Sequence, residues 1–314
     1  MKSDAAARRR LPEGALVSVW RAPDGWEHRR LDLRQPAGRA ARGRLLFAGG
    51  RGDFIEKYLE NHRHWHDRGW NVTVFDWRGQ GGSRGSIRGG HLDSLDPLVD
   101  DLAGLVEAWR CEGPGPHAII AHSMGGHILL RALAERQLAI DAAVAVAPMV
   151  AINAHPLPPP IAAGIARLLA GIGLARKPAW KTPRAMLRAG SRRQLFLTRD
   201  PERYADEGWW WEQEPGYNLG APSWGWLRAA YRSARRLGPE ALARIRVPLL
   251  FIAAAEDRLV STPAIRRAAA AVAHAELLVF ADSGHEIVRE RDEIRLAALA
   301  RIEAFLDAHA QARA

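Results

Sequence analysis

The chain has 314 residues, of which 47% are hydrophobic and 25% are charged. These proportions exclude a disordered chain, and the length predicts one large domain with an insertion, or two domains. Lysine and arginine outnumber aspartate and glutamate by 45 to 35, which gives a net charge of +10. Nucleic acid, an anionic membrane and a general arginine bias would each explain this excess, so the position of the charge has to distinguish them.

A single cysteine, Cys111, excludes an internal disulfide framework and a zinc site built from cysteines. The N-terminus lacks the apolar run of a secretory signal. The longest apolar stretch, residues 161–175, is interrupted by glycine and arginine and is shorter than the roughly 20 residues that span a bilayer. The sequence therefore predicts a soluble, cytoplasmic protein.

The predicted elements begin with two short strands within residues 15–33, on either side of the turn Pro23-Asp24-Gly25. Short apolar segments then alternate with helical patterns. Further strands are predicted at 45–47, 72–75, 118–120, 142–147, 249–252 and 277–280, and helices up to 66 and over 95–111, 124–136 and 292–309. This alternation predicts an α/β fold with a mostly parallel sheet that helices cover on both faces.

Residues 149–237 interrupt the alternation. The segment opens with the proline-rich run PLPPP at 156–160 and contains half of the chain's 12 tryptophans. We predict that it is a mostly helical cap, inserted into a core formed by residues 1–148 and 238–314.

The strongest local signal for chemistry is the segment 121–126, AHSMGG, between a predicted buried strand and a predicted helix. A nucleophile elbow has this context, with small residues around the serine because the turn is strained and the helix packs close to the strand. Ala121 replaces the first glycine of the G-x-S-x-G pattern. A serine here could also serve only as a helix cap, so Ser123 needs partners before it can be assigned as a nucleophile.

Such partners follow later in the chain, in the order serine, acid, histidine that this fold class uses. Asp257, with Glu256 as its competing neighbour, follows the strand predicted at 249–252, and His285 follows the strand at 277–280. Both lie at the sheet edge where α/β proteins place their sites. A serine hydroxyl requires a base, and the base requires an orienting carboxylate, so we predict the catalytic triad Ser123, His285 and Asp257.

The oxyanion formed during acyl transfer also needs hydrogen-bond donors. Met124 supplies one backbone N–H at the start of the helix that follows Ser123. The second donor is expected in the glycine-rich loop 49–52, where we choose the N–H of Arg51, with that of Gly50 as the alternative. No cofactor and no metal is implied by this chemistry.

Taken together, these residues resemble the α/β-hydrolases of the bacterial lysophospholipase and monoacylglycerol lipase family. The likeness rests on residues 49–58, on DWRGQGGS at 76–83, on the Ser123 segment, on Asp257 and on His285, and it extends over most of residues 15–308. The segments 197–204 and 220–226 are more similar to the lysophospholipase branch. The resemblance implies an α/β-hydrolase fold and hydrolysis of a carboxylic ester of a lipid-like substrate, such as a lysophospholipid or a monoacylglycerol.

Other functions would account for some of the same features. A general carboxylesterase or a serine aminopeptidase would use the same triad, and a basic, non-catalytic nucleic-acid-binding protein would explain only the charge. The Gly79-x-Gly81 segment lacks the third glycine of a dinucleotide-binding motif. His62, His64 and His66 have spacing that could hold a metal, but no acidic partner completes the set, and a solvated helix face is expected.

The positive charge is concentrated in two parts of the chain. The N-terminal arm, residues 1–44, carries +6 and the predicted cap carries +8, whereas residues 45–148 carry −3 and residues 238–314 carry −1. A basic, tryptophan-containing surface over a lipid site would suit peripheral contact with an anionic membrane at its inner face. Solvated, arginine-rich helices are the alternative, and nucleic acid is not expected as a partner.

Overall fold

The structure, a computed structural model, describes residues 4–311, so the outermost residues of the predicted core lie outside it. Its centre is a sheet of eight strands in the order β1-β2-β4-β3-β5-β6-β7-β8. The strands are β1 (Leu16–Arg21), β2 (Glu27–Leu33), β3 (Gly43–Ala48), β4 (Trp70–Phe75), β5 (His117–His122), β6 (Ala142–Val146), β7 (Leu249–Ala254) and β8 (Ala275–Phe280).

Strands β4 to β8 pair in parallel, with β3 between β4 and β5, whereas β2 is antiparallel to both β1 and β4. Every residue of β3, β5, β6 and β7 is buried, as the unbroken apolar runs in their sequences predict for strands covered on both faces. The register places Ala48, Ala121 and Ala145 side by side, so β3, β5 and β6 end at one edge. The predicted α/β fold is confirmed.

Eleven α-helices within residues 4–311 flank the sheet or lie in the segment 149–237. They are α1 (Ala5–Arg8), α2 (Leu59–Asp67), α3 (Asp96–Arg110), α4 (Met124–Arg136), α5 (Pro159–Leu169), α6 (Arg192–Leu197), α7 (Pro201–Gln213), α8 (Trp224–Ala234), α9 (Pro239–Leu242), α10 (Thr262–Ala271) and α11 (Asp292–His309). Helices α5 to α8 fall within the predicted cap. Among the described residues, no helix is both long and apolar enough to cross a membrane.

The histidine cluster on α2 differs from its expected environment. His62 is fully buried, with Nε2 3.2 Å from the carbonyl oxygen of Ile55 and its ring against Phe47. Burial lowers the pKa of His62 to about 3, so the side chain is neutral. The solvated-face interpretation is therefore wrong for His62, because its side of α2 packs against β3.

Candidate active site

Ser123 occupies a strained turn between β5 and α4. Its φ and ψ angles are 53° and −114°, a combination that non-glycine residues rarely adopt. Two hydrogen bonds fix this backbone: the Ser123 N–H donates to the carbonyl of Val146 and the Met149 N–H donates to the carbonyl of Ser123, both at 2.9 Å. No hydrogen bond from the Ser123 side chain caps α4, and Oγ lies 2.8 Å from His285 Nε2 instead.

The two glycines after Met124 let α4 start directly beside the neighbouring strands. A Cβ atom on Gly125 would lie 2.3 Å from the carbonyl oxygen of Gly49, and one on Gly126 would lie 2.8 Å from Cβ of Pro148. Any larger side chain would therefore push α4 away from the loop after β3. This is the close approach that the AHSMGG segment predicts.

The structure brings Ser123, His285 and Asp257 into one line of hydrogen bonds. His285 Nε2 lies 2.8 Å from Ser123 Oγ, and His285 Nδ1 lies 2.6 Å from Asp257 Oδ2. The other carboxylate oxygen of Asp257 accepts the N–H groups of Leu259 and Val260, at 2.7 and 3.0 Å. Glu256, the competing acid, is exposed. The geometry is that of a nucleophile, a base and an orienting acid.

The electrostatics of the line favour proton transfer to His285. Burial lowers the pKa of His285, but the carboxylates of Asp257, Glu286 and Asp53 together raise it above its ordinary value. Burial raises the pKa of Asp257, but its ion pair with His285 and two backbone N–H groups together lower it by more. The net pKa of Asp257 is therefore below its ordinary value. Asp257 is thus ionised, and His285 is a stronger base than an isolated histidine.

The loop after β3 lies against Ser123. A Cβ atom on Gly50 would lie 2.9 Å from Cβ of Ser123. The Gly50 N–H donates to Oδ2 of Asp53, which leaves the N–H of Arg51 as the available choice in this loop. No acceptor within residues 4–311 takes the N–H of Arg51 or of Met124. The assignment of the Arg51 and Met124 N–H groups as oxyanion donors therefore remains a prediction. The geometry of the loop permits it.

A buried charge cluster beneath this loop has Lys57 at its centre. Its Nζ donates to Asp53 at 2.7 Å, to Glu207 at 3.0 Å and to Glu286 at 2.6 Å. Glu207 also binds Arg193, Glu286 also binds Arg289, and Asp53 also contacts His122 Nδ1 at 2.9 Å. The cluster thus connects the 50–53 loop, the predicted cap and the residue after His285.

Lys57 sets the charge states within this cluster. Burial lowers its pKa, but Asp53, Glu207 and Glu286 together raise it above its ordinary value. Burial raises the pKa of Asp53, and Lys57 followed by His122 lowers it well below its usual range. Lys57, Asp53, Glu207 and Glu286 are therefore ionised near neutral pH. Sequence reasoning missed the cluster; its only local signal is the i,i+4 pair of Asp53 and Lys57, because Glu207 lies far away in the chain.

A cavity of about 1080 Å³ opens in front of Ser123. Much of its lining is apolar and comes from residues 149–237, including Trp180, Met186, Phe196, Trp211 and Trp226. Its size and apolar character match those of sites for a drug-sized or lipid-like ligand. Among the described residues, no group of three or more histidine, cysteine or acidic side chains is placed to hold a metal ion.

Comparison with known families agrees with this geometry. Residues 39–292 match the family described as serine aminopeptidase, S33, which is most of the chain. The chain belongs to this family. The predicted resemblance to α/β-hydrolases is thereby confirmed, and membership of the serine aminopeptidase, S33 family makes the protein a serine hydrolase, as predicted.

The names of several relatives of this chain refer to the hydrolysis of lipid esters. Lysophospholipase L2 of Escherichia coli K12 is 28% identical over 94% of this chain and 91% of its own length. A Haemophilus influenzae protein, named "Probable lysophospholipase L2", is 26% identical over 85% of each chain. The structure of a monoglyceride lipase from Saccharomyces cerevisiae superposes with a TM-score of 0.75, at 19% identity, and covers 95% of this chain and 97% of that one. Together they support the predicted hydrolase of lipid esters.

Proposed function

We propose that Ser123, His285 and Asp257 hydrolyse the carboxylic ester of a lysophospholipid or a monoacylglycerol through an acyl-enzyme. The observation that carries the proposal is the line of hydrogen bonds from Ser123 Oγ to Asp257, which opens into an apolar cavity. The lysophospholipase names of the relatives support the choice of substrate.

In the proposed reaction, Ser123 Oγ attacks the ester carbonyl carbon while His285 Nε2 accepts the hydroxyl proton. The N–H groups of Arg51 and Met124 donate to the oxyanion. His285 then gives its proton to the leaving glycerol oxygen, and the C–O bond breaks. Water, deprotonated by His285, attacks the acyl-enzyme, and the proton returns to Ser123 as the fatty acid leaves. Asp257 orients the imidazole throughout.

We also propose that residues 149–237 form the cap that binds the acyl chain. Tryptophan, methionine and phenylalanine side chains of this segment line the cavity beside Ser123. The segment is held at the site by its backbone, because the N–H groups of His285 and Glu286 donate to the carbonyls of Phe196 and Leu197 at 3.0 and 2.7 Å. Displacement of α6 would therefore also disturb the catalytic histidine.

The aminopeptidase alternative is disfavoured by the charges in the cavity. Binding a free amino terminus requires a carboxylate that is not already neutralised. Within residues 4–311, three acids line the cavity, and all three are bonded to Lys57. Glu212 and Glu214 in the predicted cap are exposed and lie outside the lining. A general carboxylesterase stays compatible with this arrangement.

Two measurements test the proposal. A fluorophosphonate probe should label the wild type and the Ser18→Ala control, in which an exposed serine is removed, but not Ser123→Ala. Hydrolysis of a lysophospholipid, a monoacylglycerol, a short aryl ester and an aminoacyl arylamide should then be compared. Labelling that persists in Ser123→Ala would disprove the nucleophile, and preference for the arylamide would disprove the lipid substrate.

We also propose peripheral contact with an anionic membrane. The surface that we propose for it differs from the basic, tryptophan-containing surface that the sequence suggests. Arg8 and Arg9 of the N-terminal arm bind Asp206, at 2.6 and 2.7 Å, so part of its charge is neutralised. Of the six tryptophans in the predicted cap, Trp180 is the exposed one. Half of the eight exposed large apolar side chains in this segment belong to α5 and the turn after it.

The α5 surface consists of Ile161, Ile165, Leu168 and Ile172, which are 53%, 36%, 62% and 63% exposed. Their spacing places them along one face of the helix, and exposed Arg167, Arg176 and Lys177 lie nearby in the chain. We expect co-sedimentation with vesicles containing anionic lipid, weakened by salt and by Leu168→Asp. Binding that ignores salt, lipid charge and this substitution would contradict the contact.

A further inference from the structure

The cavity in front of Ser123 carries an excess of positive charge. Seven cationic side chains and three acidic ones line it. Two of the cations, Lys57 and Arg193, bind the acids of the buried cluster. The other five have no carboxylate partner within the described residues, and they are Arg51, Arg88, Arg176, Lys181 and Arg258. The lining of the cavity is therefore net positive.

Arg51 is the one of these five that is not exposed. Its guanidinium donates to the carbonyls of Gly220 and Gly89, each at 3.1 Å, and lies 5.3 Å from the centre of a Trp226 ring. Its Nε is buried without an acceptor. Carbonyl dipoles and an aromatic face position a guanidinium but leave its full charge uncompensated. The Arg51 guanidinium is therefore fixed in position while its positive charge is available to an anion.

The N–H groups of Arg51 that remain unused are donors of the kind that phosphate oxygens accept. A guanidinium has five N–H bonds, and those that the two carbonyls do not use include the Nε–H. Arginine presents such donors in a planar fork that suits two phosphate oxygens. The backbone of Arg51 lies in the loop against Ser123, and the phosphate of a lysophospholipid is only a few bonds from its ester.

We propose that the Arg51 side chain binds the phosphate of the substrate headgroup and that the protein prefers lysophospholipids with a net negative headgroup. The inference rests on the proposed lipid ester hydrolysis. The exposed cations Arg88, Arg176, Lys181 and Arg258 attract the same charge at longer range. They oppose the ammonium of a zwitterionic headgroup, and they gain nothing from a neutral glycerol.

The test compares three substrates with one short acyl chain, used as monomers so that no lipid surface contributes. These are a lysophosphatidylglycerol, a lysophosphatidylethanolamine and a monoacylglycerol. For the wild type we expect kcat/KM to be highest for the first and lowest for the last, with a span of about tenfold or more from one charge-assisted contact. Hydrolysis of the monoacylglycerol should be inhibited by glycerol 3-phosphate more strongly than by inorganic phosphate, because the glycerol marks a lipid headgroup.

Arg51→Gln keeps the backbone N–H but removes the charge. It should lower the kcat/KM ratio of lysophosphatidylglycerol to monoacylglycerol by roughly 10- to 100-fold, mainly through KM. Arg51→Lys keeps a charge without the fork and should lower the ratio by a smaller factor, and it replaces Arg51→Gln if that variant does not fold. Arg266→Gln removes an exposed arginine on α10 outside the cavity lining and should leave the ratio unchanged.

An equal loss on both substrates in Arg51→Gln would overturn the proposal, because it would show that Arg51 only fastens the loops around residues 89 and 220. An unchanged ratio, or a wild type that prefers the monoacylglycerol, would also overturn it. These results differ from a failure of the proposed function, in which the wild type hydrolyses none of the three lipids.

Discussion

Replacing Lys57 by methionine tests whether one ammonium group balances the buried charges beside Ser123. Methionine has an unbranched side chain of similar length, so the charge is lost with little change in packing. In the wild type Nζ lies 2.7 Å from Asp53, 3.0 Å from Glu207 and 2.6 Å from Glu286. Glu207 keeps Arg193 and Glu286 keeps Arg289 as ion-pair partners. The variant therefore leaves the carboxylate of Asp53 with His122 Nδ1, 2.9 Å away, in place of an ammonium group.

The expected loss of stability follows from the removal of this one ammonium group. Removing one partner of a buried ion pair typically lowers the free energy of unfolding by about 3–5 kcal/mol, and we expect such a loss at about pH 8. Without Lys57 the pKa of Asp53 rises from its depressed position in the wild type, because burial raises it and the contact with His122 alone remains of the two interactions that lower it. The folded variant then takes up a proton at a higher pH than the folded wild type does. The loss should therefore shrink as the pH falls towards about 5.

Urea unfolding of four proteins measures this effect: the wild type, Lys57→Met, Asp53→Asn and the double variant. Because Asp53→Asn removes the charge that Lys57→Met leaves without its ammonium partner, the double variant should be more stable than additivity predicts, by about 1–3 kcal/mol. Titratable groups elsewhere contribute equally to the pH dependence of stability in all four proteins, so their contributions cancel in the comparison. The reasoning is refuted if the loss in Lys57→Met is the same at both pH values and the two substitutions are additive.

Two further predictions concern the triad and the turn before α4. Asp257→Asn should lower kcat by about 10⁴-fold. It should also move the acidic limb of kcat/KM to lower pH, since the carboxylate that raises the pKa of His285 most is lost; a limb that stays in place would contradict that cause. Gly125→Ala should lower the free energy of unfolding by about 1–3 kcal/mol, because its Cβ meets the carbonyl of Gly49. Gly164→Ala on α5 points into open space and should stabilise by up to about 1 kcal/mol, and similar urea curves for both glycine variants would argue against the close approach.

The sequence predicted the sheet well where strands are buried on both faces. Strands β3 to β7 and helices α3, α4 and α11 lie within a few residues of their expected positions. Periodicity failed where elements are short or carry few apolar residues, as in α1 and α9. It also failed for His62, whose burial depends on the contact of α2 with β3 rather than on local pattern.

The line of hydrogen bonds from Ser123 to Asp257 was predictable because each member follows a strand that ends at one edge of a parallel sheet. Strand order alone places Ser123 after β5, Asp257 after β7 and His285 after β8. The Lys57 cluster was not predictable in this way. Its carboxylates are at positions 53, 207 and 286, and the fold of the 149–237 segment decides that Glu207 reaches the others. A local pattern contains no such information.

What the net charge of +10 implies for function depends on which basic side chains lack an acidic partner, rather than on where they lie along the chain. Arg8 and Arg9, at the end of α1, bind Asp206 of the most basic segment, so part of the positive charge of the N-terminal arm is neutralised within the fold. Five cations without a carboxylate partner among the described residues line the cavity in front of Ser123, where Arg51 has carbonyl and aromatic neighbours but no carboxylate. The two other cations of the lining are paired with its acids, so the lining is net positive. A net positive lining favours an anionic lipid over nucleic acid, because a cavity of about 1080 Å³ around one serine admits a headgroup and a chain but not a duplex.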